Sequence, residues 1–315
     1  MASSRQLKNR IRSTKNIGQI TKAMEAVSAV KMRKSELVAL RSRPFSFAAL
    51  DILQNTLSKI DLGELHENPF LNQREIKKIC LIVVTSDKGL AGAFNTNVLR
   101  KAQKFIDEAK APVDVIAVGK KGKDYFGPTK LGRAKATLIA EFLKAGDFTE
   151  AEETLPISNL IYELYNKGVY QEVLIIYTNF ISALKQDVII RKLIPFTLEA
   201  IRDVISNIIP REGKYSHIRN SFEEDKKSGS KYLLEPNVNE VLHDLLPFLI
   251  DIEVHTAILE ANASEHSSRM IAMKNASQNA IDIANRLRIT YNKTRQAQIT
   301  KELIEITAGT EALSK

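Results

Sequence analysis

Residues 248–308 contain neither proline nor glycine. Proline removes a helix hydrogen bond and glycine costs backbone entropy, so a run free of both leaves a helix uninterrupted. At about 1.5 Å per residue this run spans on the order of 90 Å, more than the width of a small domain. Most of such a helix cannot lie inside one globule. A second proline-free run, residues 1–43, stands at the other end of the chain. Two long terminal helices around an ordinary globular segment read as a shaft attached to a body. That organisation points to mechanical or scaffolding work before catalysis.

The net charge of +9 is concentrated in one place. Residues 1–43 carry eleven basic side chains, Arg5, Lys8, Arg10, Arg12, Lys15, Lys22, Lys31, Arg33, Lys34, Arg41 and Arg43, against the acids Glu25 and Glu36. That excess equals the whole net charge, so the rest of the chain is neutral. A helix needing only solubility has no use for such a bias, and its partner should be acidic: nucleic acid, an anionic membrane surface or an acidic protein face. The 44% hydrophobic share allows a buried core. The longest apolar run, around residues 245–252, is interrupted by Pro247 and Asp251 and is too short to span a bilayer. The first residues lack the apolar core of a secretory signal. Cys80 is the sole cysteine, which excludes an internal disulfide, fits a reducing compartment and, within an apolar run, reads as buried and inert.

Spacings of three and four link Leu7, Ile11, Ile17, Ile20, Met24, Val27 and Val30, an amphipathic helix with Gly18 as its weak point. Pro44 predicts a break or kink, after which Phe47, Leu50, Leu53 and Leu57 resume the pattern. Near the other end, Ala276, Ala280, Ile283, Leu287, Tyr291 (or Thr290), Thr294 and Ala297 form a heptad-like seam rich in small residues. Alanine on a seam lets another helix approach closely, and the N-terminal stripe is the natural partner. The expectation is an intramolecular antiparallel coiled coil, packed through Ile20, Met24, Val27, Ala280, Ile283 and Leu287.

Between the ends the pattern changes to apolar strands at residues 79–85, 113–118, 173–178 and 188–194. Helical stretches at residues 97–110 and 157–166 alternate with them. Continuous apolar strands alternating with helices predict an α/β layer around a buried sheet, a Rossmann-like body. The domain reading is a coiled-coil helix at 1–60, a central α/β domain at 75–205, an exposed loop and foot at 206–236, and a long helix at 237–315 that pairs with 1–60.

Chemical motifs are weak. Residues 86–95, Ser-Asp-Lys-Gly-Leu-Ala-Gly-Ala-Phe-Asn, follow the first strand where a phosphate turn would sit, but lack the glycine spacing of a dinucleotide fingerprint. A tight structural turn is the better reading. Gly119-Lys120-Lys121-Gly122-Lys123 lacks the spacing and hydroxyl of a P-loop. His66, His217, His243, His255 and His266 have no metal-ligand spacing. Glu265-His266-Ser267 is triad-like in composition only, because adjacent helical residues point apart. Residues 1–43 hold no aromatic group for base stacking, which counts against nucleic acid.

The segment Ile299-Thr300-Lys301-Glu302-Leu303-Ile304-Glu305-Ile306-Thr307-Ala308-Gly309 resembles the signature of the gamma subunit, the rotor shaft, of F-type ATP synthases. The segments at residues 291–297 and 263–274 are similar to the same family, as are Arg10-Ile11-Arg12-Ser13-Thr14-Lys15-Asn16, residues 19–25 and the turn at 86–95. In this order they span nearly the whole chain. Two positions depart from the family pattern, Thr310 after the signature glycine and Leu234 in the foot; a redox-regulating cysteine pair is also missing.

The resemblance implies a non-catalytic subunit of a proton-translocating ATP synthase, with no cofactor and no active site of its own. Its coiled coil would turn inside a ring of three alpha and three beta subunits, and its body and foot would rest beside an epsilon subunit on the membrane c-ring. It would be peripheral on the cytoplasmic face of a bacterial cell membrane, without inserting into it, and would not bind nucleic acid. Carried over by resemblance, contacts to the catalytic ring fall on Arg269, Arg295, Gln296, Thr300 and Glu302, with the basic face Arg10, Arg12, Lys15, Lys22, Arg33 and Lys34 toward acidic loops. Tyr232 and Glu235 belong to the foot. A basic coiled-coil nucleic-acid scaffold is the alternative.

Overall fold

The structure, a computed structural model, describes residues 4–57, 69–127, 136–144, 149–196, 235 and 238–313. Of the expected loop and foot only Glu235 is among them, and it is exposed; Tyr232 and Leu234 lie outside the described residues. In chain order the elements are α1 (Ser4–Leu57), β1 (Ile79–Val84), α2 (Phe94–Glu108), β2 (Val113–Val118), α3 (Lys120–Phe126), β3 (Ala136–Phe142), α4 (Ala151–Asn166), β4 (Glu172–Phe180), β5 (Gln186–Ile194) and α5 (Val238–Leu313). They form two compact units, Met1–Ala29 with Arg269–Lys315, and Val30–Ser268.

The larger unit is built on a five-stranded sheet in the order β3-β2-β1-β4-β5. β1 pairs in parallel with β2 and β4, β2 in parallel with β3, and β5 closes the sheet antiparallel to β4. Side chains alternate across the pleat. Cys80, Ile82, Val84, Ile116, Val118, Val173, Ile175 and Tyr177 enter one core, completed by Ile157, Ile161 and Tyr165 of α4, Ala49 and Leu53 of α1, and Leu242 to Ala261 of α5. Ile79, Leu81, Val83, Val113, Val115, Leu174 and Ile176 enter the other, capped by Val98, Ala102 and Ile106 of α2 and Phe126 of α3. Both faces are covered, which is why the strands read as continuous apolar runs.

Two elements depart from the sequence reading. β3 was not expected. It lies at the sheet's edge with alternate residues exposed, so it lacks the continuous apolar signature of its neighbours. At Pro44 the expected break is absent, and α1 runs through it. Burial of Ala49, Leu53 and Thr56 beyond the proline anchors the helix there, against a proline penalty of about 3 kcal/mol.

In the smaller unit α1 and α5 pair along a seam. On α1 the least exposed positions are Leu7, Ile11, Thr14, Gly18, Thr21, Met24, Glu25 and Ser28; on α5 they include Met273, Ser277, Ala280, Ala284, Leu287, Tyr291 and Thr294. With Met24 set beside Glu25, the α1 series 7, 11, 14, 18, 21, 25 and 28 and the α5 series both alternate four and three, the rhythm of a coiled coil. The helices touch at Gly18, where the Ser277 hydroxyl donates to the Gly18 carbonyl at 3.3 Å and an added Cβ would lie 3.4 Å from that of Ala280. From that crossing the unit ends about equally far along each helix, at Ala29 and at Arg269, as an antiparallel pair requires.

Candidate functional site

The seam differs from the expected stripe in a way that matters for function. Ile20 is 59% exposed, Val27 55% and Ile283 49%. They lie away from the crossing, where Gly18, Ser28, Ser277 and Ala280 are buried, while Thr21, Met24 and Leu287 are half-buried. The reason is distance. Small residues at the crossing of Gly18 with Ser277 and Ala280 let the backbones approach there and leave no room for isoleucine, while Leu7, Ile11 and Leu287 lie on the seam farther along the helices. The apolar groups are displaced outward. Ile17 joins Ile20 and Val27 on the outside of α1, and Ile281, Ile289, Ile299, Leu303, Ile304 and Ile306 join Ile283 on α5. Every residue from 295 to 309 is exposed.

Among these apolar groups stand the expected charges. Arg10, Arg12, Lys15 and Lys22 are exposed on α1, as are Arg295, Gln296, Thr300 and Glu302 on α5. Lys22 spends its ammonium on Glu25 at 3.1 Å, one turn along the helix. Thr300 returns its hydroxyl to the Gln296 carbonyl at 2.9 Å. Arg269 is the exception: at 8% exposure it is buried within its own chain, which leaves little of it for a partner. Arg33 and Lys34 are exposed in the larger unit.

The carboxyl edge of the sheet, where doubly wound folds bind ligands, is closed by the protein itself. Asp87 follows β1 and its carboxylate accepts the backbone N–H of Lys120 at 2.8 Å and of Lys144 at 3.2 Å. It thereby occupies the start of α3, where an anion would otherwise sit. The Thr85 hydroxyl donates to the Val118 carbonyl at 3.0 Å and accepts the Gly122 N–H at 2.8 Å. Gly119 has φ +95°, and a Cβ there would lie 2.4 Å from the Thr85 carbonyl oxygen, so only glycine fits. Asn95 binds Ser86 across the turn, its amide N–H donating to the hydroxyl at 2.7 Å. The turn at 86–95 is an internal clasp, as the sequence suggested.

Next to this edge, α5 carries polar groups that the sequence reading did not single out. Lys144, after β3, donates to Asn262 at 2.8 Å and to Glu265 at 3.2 Å. Arg191, in the middle of β5, donates to Glu253 at 2.9 Å and stacks over the Tyr177 ring. Ser264 donates to the Thr178 carbonyl, and Ser267 to that of Ala183 while accepting from Gln186. The Ser267 hydroxyl is therefore structural rather than nucleophilic. The signal that could have found this set is Arg191 inside an apolar strand and three glutamates, at 253, 260 and 265, inside an apolar helix. Among the described residues, no group of three or more His, Cys, Asp or Glu could hold a metal ion, and no helix is long and apolar enough to cross a membrane.

Known proteins match this chain from end to end. A family model described as ATP synthase matches residues 3–313. An ATP synthase gamma chain from Roseiflexus castenholzii is 38% identical over 319 residues, covering all of both chains. One from Chloroflexus aurantiacus is 38% identical over 318 residues, again with full coverage. Among solved structures, a chain of the Euglena gracilis mitochondrial ATP synthase (OSCP/F1/c-ring) aligns over 98% of this chain and 94% of its own, with TM-score 0.64 at 19% identity. A chain of the Tetrahymena thermophila central stalk and c-ring aligns over 82% and 99%, with TM-score 0.55 at 22% identity. The fold is thus that of an ATP synthase central-stalk chain. The protein belongs to the ATP synthase gamma-chain family.

Proposed function

We propose that this chain is the central-stalk rotor subunit of an F-type ATP synthase, coupling ion flow through a membrane ring to the cycling of catalytic sites on neighbouring subunits. One observation carries the reading beyond family membership: the helix pair crosses on small residues and turns most of its isoleucines and valines, interleaved with base, outward. Burying an isoleucine is worth about 1.5–3 kcal/mol. An exposed ion pair is worth about 0–1 kcal/mol. Driving a site from 1:99 to 99:1 takes about 5.5 kcal/mol. Apolar and steric contact is therefore the main way such a helix pair would bias a surrounding ring, with Arg10, Arg12, Lys15, Lys22, Arg33, Lys34 and Arg295 tuning angle and encounter, and Gln296, Thr300 and Glu302 supplying polar contacts.

The chain itself would be non-catalytic, which agrees with a sheet edge occupied by Asp87 and α5. Its partners would be three alpha and three beta subunits, an epsilon subunit and a c-ring, the last met by the foot around Tyr232 and Glu235. It would sit peripherally on the cytoplasmic face of a bacterial membrane, in keeping with bacterial relatives. The shaft would be residues 1–60 with 237–315, and the body residues 75–205. None of the relatives named above is described as a nucleic-acid scaffold.

Mild extraction from native membranes and mass measurement of the intact complex test this. One copy with three each of two larger nucleotide-binding subunits is expected. A free chain, or one bound to nucleic acid, would overturn the assignment.

A further inference from the structure

In the larger unit α5 is buried on all sides between residues 256 and 267. A helix in that setting could be wholly apolar, yet this stretch and the turn before it carry Glu253, Glu260, Asn262, Ser264, Glu265 and Ser267, all buried. At 100° per residue, Glu260, Ser264 and Ser267 lie within about 40° of Glu253 around the axis. That side meets Arg191, Thr178 and Gln186 of the β4–β5 hairpin. Asn262 and Glu265 lie about 120–180° away on the same count. That side meets Lys144, and Asn262 also donates to Thr149 at 3.0 Å. The helix is gripped from two sides.

Apolar contacts alone would not define its register. Ala257 and Ala261 stand one turn apart, as do Val254 and Ile258, so slippage by one turn would exchange like for like at these positions at modest cost. Charged partners cannot be exchanged that way. A displaced Glu253 or Glu265 would face apolar surroundings, and Arg191 and Lys144 would be left buried without their carboxylates. Burial pushes the Glu253 carboxyl above its ordinary range, while Arg191 pulls it back. A pair under that strain contributes little net stability, and specificity is the use that remains for it.

We propose that Arg191 with Glu253, and Lys144 with Asn262 and Glu265, are positioning residues that key α5 to the sheet at one rotational and axial register. This rests on the rotor reading above. α5 supplies residues to both units, so torque passing along it must be resisted where the sheet holds it. The two clasps, on different sides of the helix, oppose both rotation and sliding.

The test uses the assembled complex in membrane vesicles, reading ATP hydrolysis and ATP-driven proton pumping together. The paired changes Arg191→Leu with Glu253→Leu and Lys144→Met with Glu265→Gln remove both ionic clasps without leaving Glu253 or Glu265 buried as an unmatched charge. The complex is expected to assemble and hydrolyse ATP as the unaltered one does. Protons pumped per ATP should fall to about half or below, because registers of similar energy share the population. Arg191→Lys alone keeps a cation on Glu253 and should pump normally. Should the combined variant fail to assemble, Lys144→Met with Glu265→Gln is read in the same way. An unchanged pumping ratio in the variant that assembles would overturn the inference. The unaltered complex separates the two levels: if it lacks this chain, the rotor reading fails, whereas a normal unaltered complex with normally pumping variants sinks only the key.

Discussion

Gly18 is the position where the seam is most directly testable. Its carbonyl accepts the Ser277 hydroxyl at 3.3 Å, and a new Cβ would stand 3.4 Å from that of Ala280. That is van der Waals contact, not a clash. Gly18→Ala should therefore gain the helix-propensity difference, about 0.8–1 kcal/mol. The methyl adds a few contacts of about 0.1–0.2 kcal/mol each, partly offset by the tight approach. The net expectation is a stabilisation of about 0.5–1 kcal/mol. Gly18→Leu must place three further carbons against Ala280 and Ser277. Overpacking costs about 1–3 kcal/mol, and separating the helices also gives up a hydrogen bond worth about 1 kcal/mol. Propensity returns about 0.8 kcal/mol, leaving a loss of about 1–3 kcal/mol. The chain has two units, so a single unfolding curve would mix them. Amide hydrogen exchange resolves the local opening free energy instead. Protection across residues 14–28 should rise for alanine and fall for leucine. Weaker protection in Gly18→Ala, or no change in Gly18→Leu, would refute the close-packed seam.

Two further expectations concern titratable groups. Burial, reinforced by the Asp114 carboxylate, pushes the Cys80 thiol up to about 12. Iodoacetamide at pH 8 should leave the folded chain unlabelled for hours and modify it within minutes in denaturant; rapid labelling of the native protein would contradict that environment. For His255, burial lowers the pKa, with Glu153 opposing the shift. On acidification the unfolded chain takes up this proton first, so the contribution is present above the unfolded pKa of about 6.5 and is lost as pH falls below it. The local opening free energy of α5 around residue 255, read by amide exchange, should drop less between pH 7 and pH 5 in His255→Gln than in the unaltered chain, and identical slopes would exclude His255 as a source of the acid sensitivity.

Much of this molecule was legible from pattern. The strands β1, β2 and β4 announce themselves because both faces of each are covered, which favours nearly continuous apolar runs, while the edge strand β5 was legible through Val188-Ile189-Ile190 and Leu193-Ile194 despite Arg191 and Lys192. β3 escaped because an edge strand solvates alternate side chains, and Ala-Thr-Leu-Ile-Ala-Glu-Phe carries too little signal alone. α3 escaped because it is short and contains Gly122, placed there by the close approach of Thr85. The basic face of α1 and the exposed positions Arg295, Gln296, Thr300 and Glu302 were readable because exposure is what charge and polarity lead one to expect. Arg269 broke that expectation.

The sequence by itself determined that two long helices flank an α/β body with a largely buried sheet, since periodicity and the absence of breakers are local properties. It also determined where the positive charge lies. Only the tertiary structure decided which face of each helix meets the other. Hydrophobicity favoured Ile20, Val27 and Ile283; interaxial distance chose Gly18, Ser28, Ser277 and Ala280. Distance between elements is not written in either helix alone. The same holds for Arg191 with Glu253 and Lys144 with Glu265, partners separated by scores of residues in the chain and joined only when the sheet and α5 are packed.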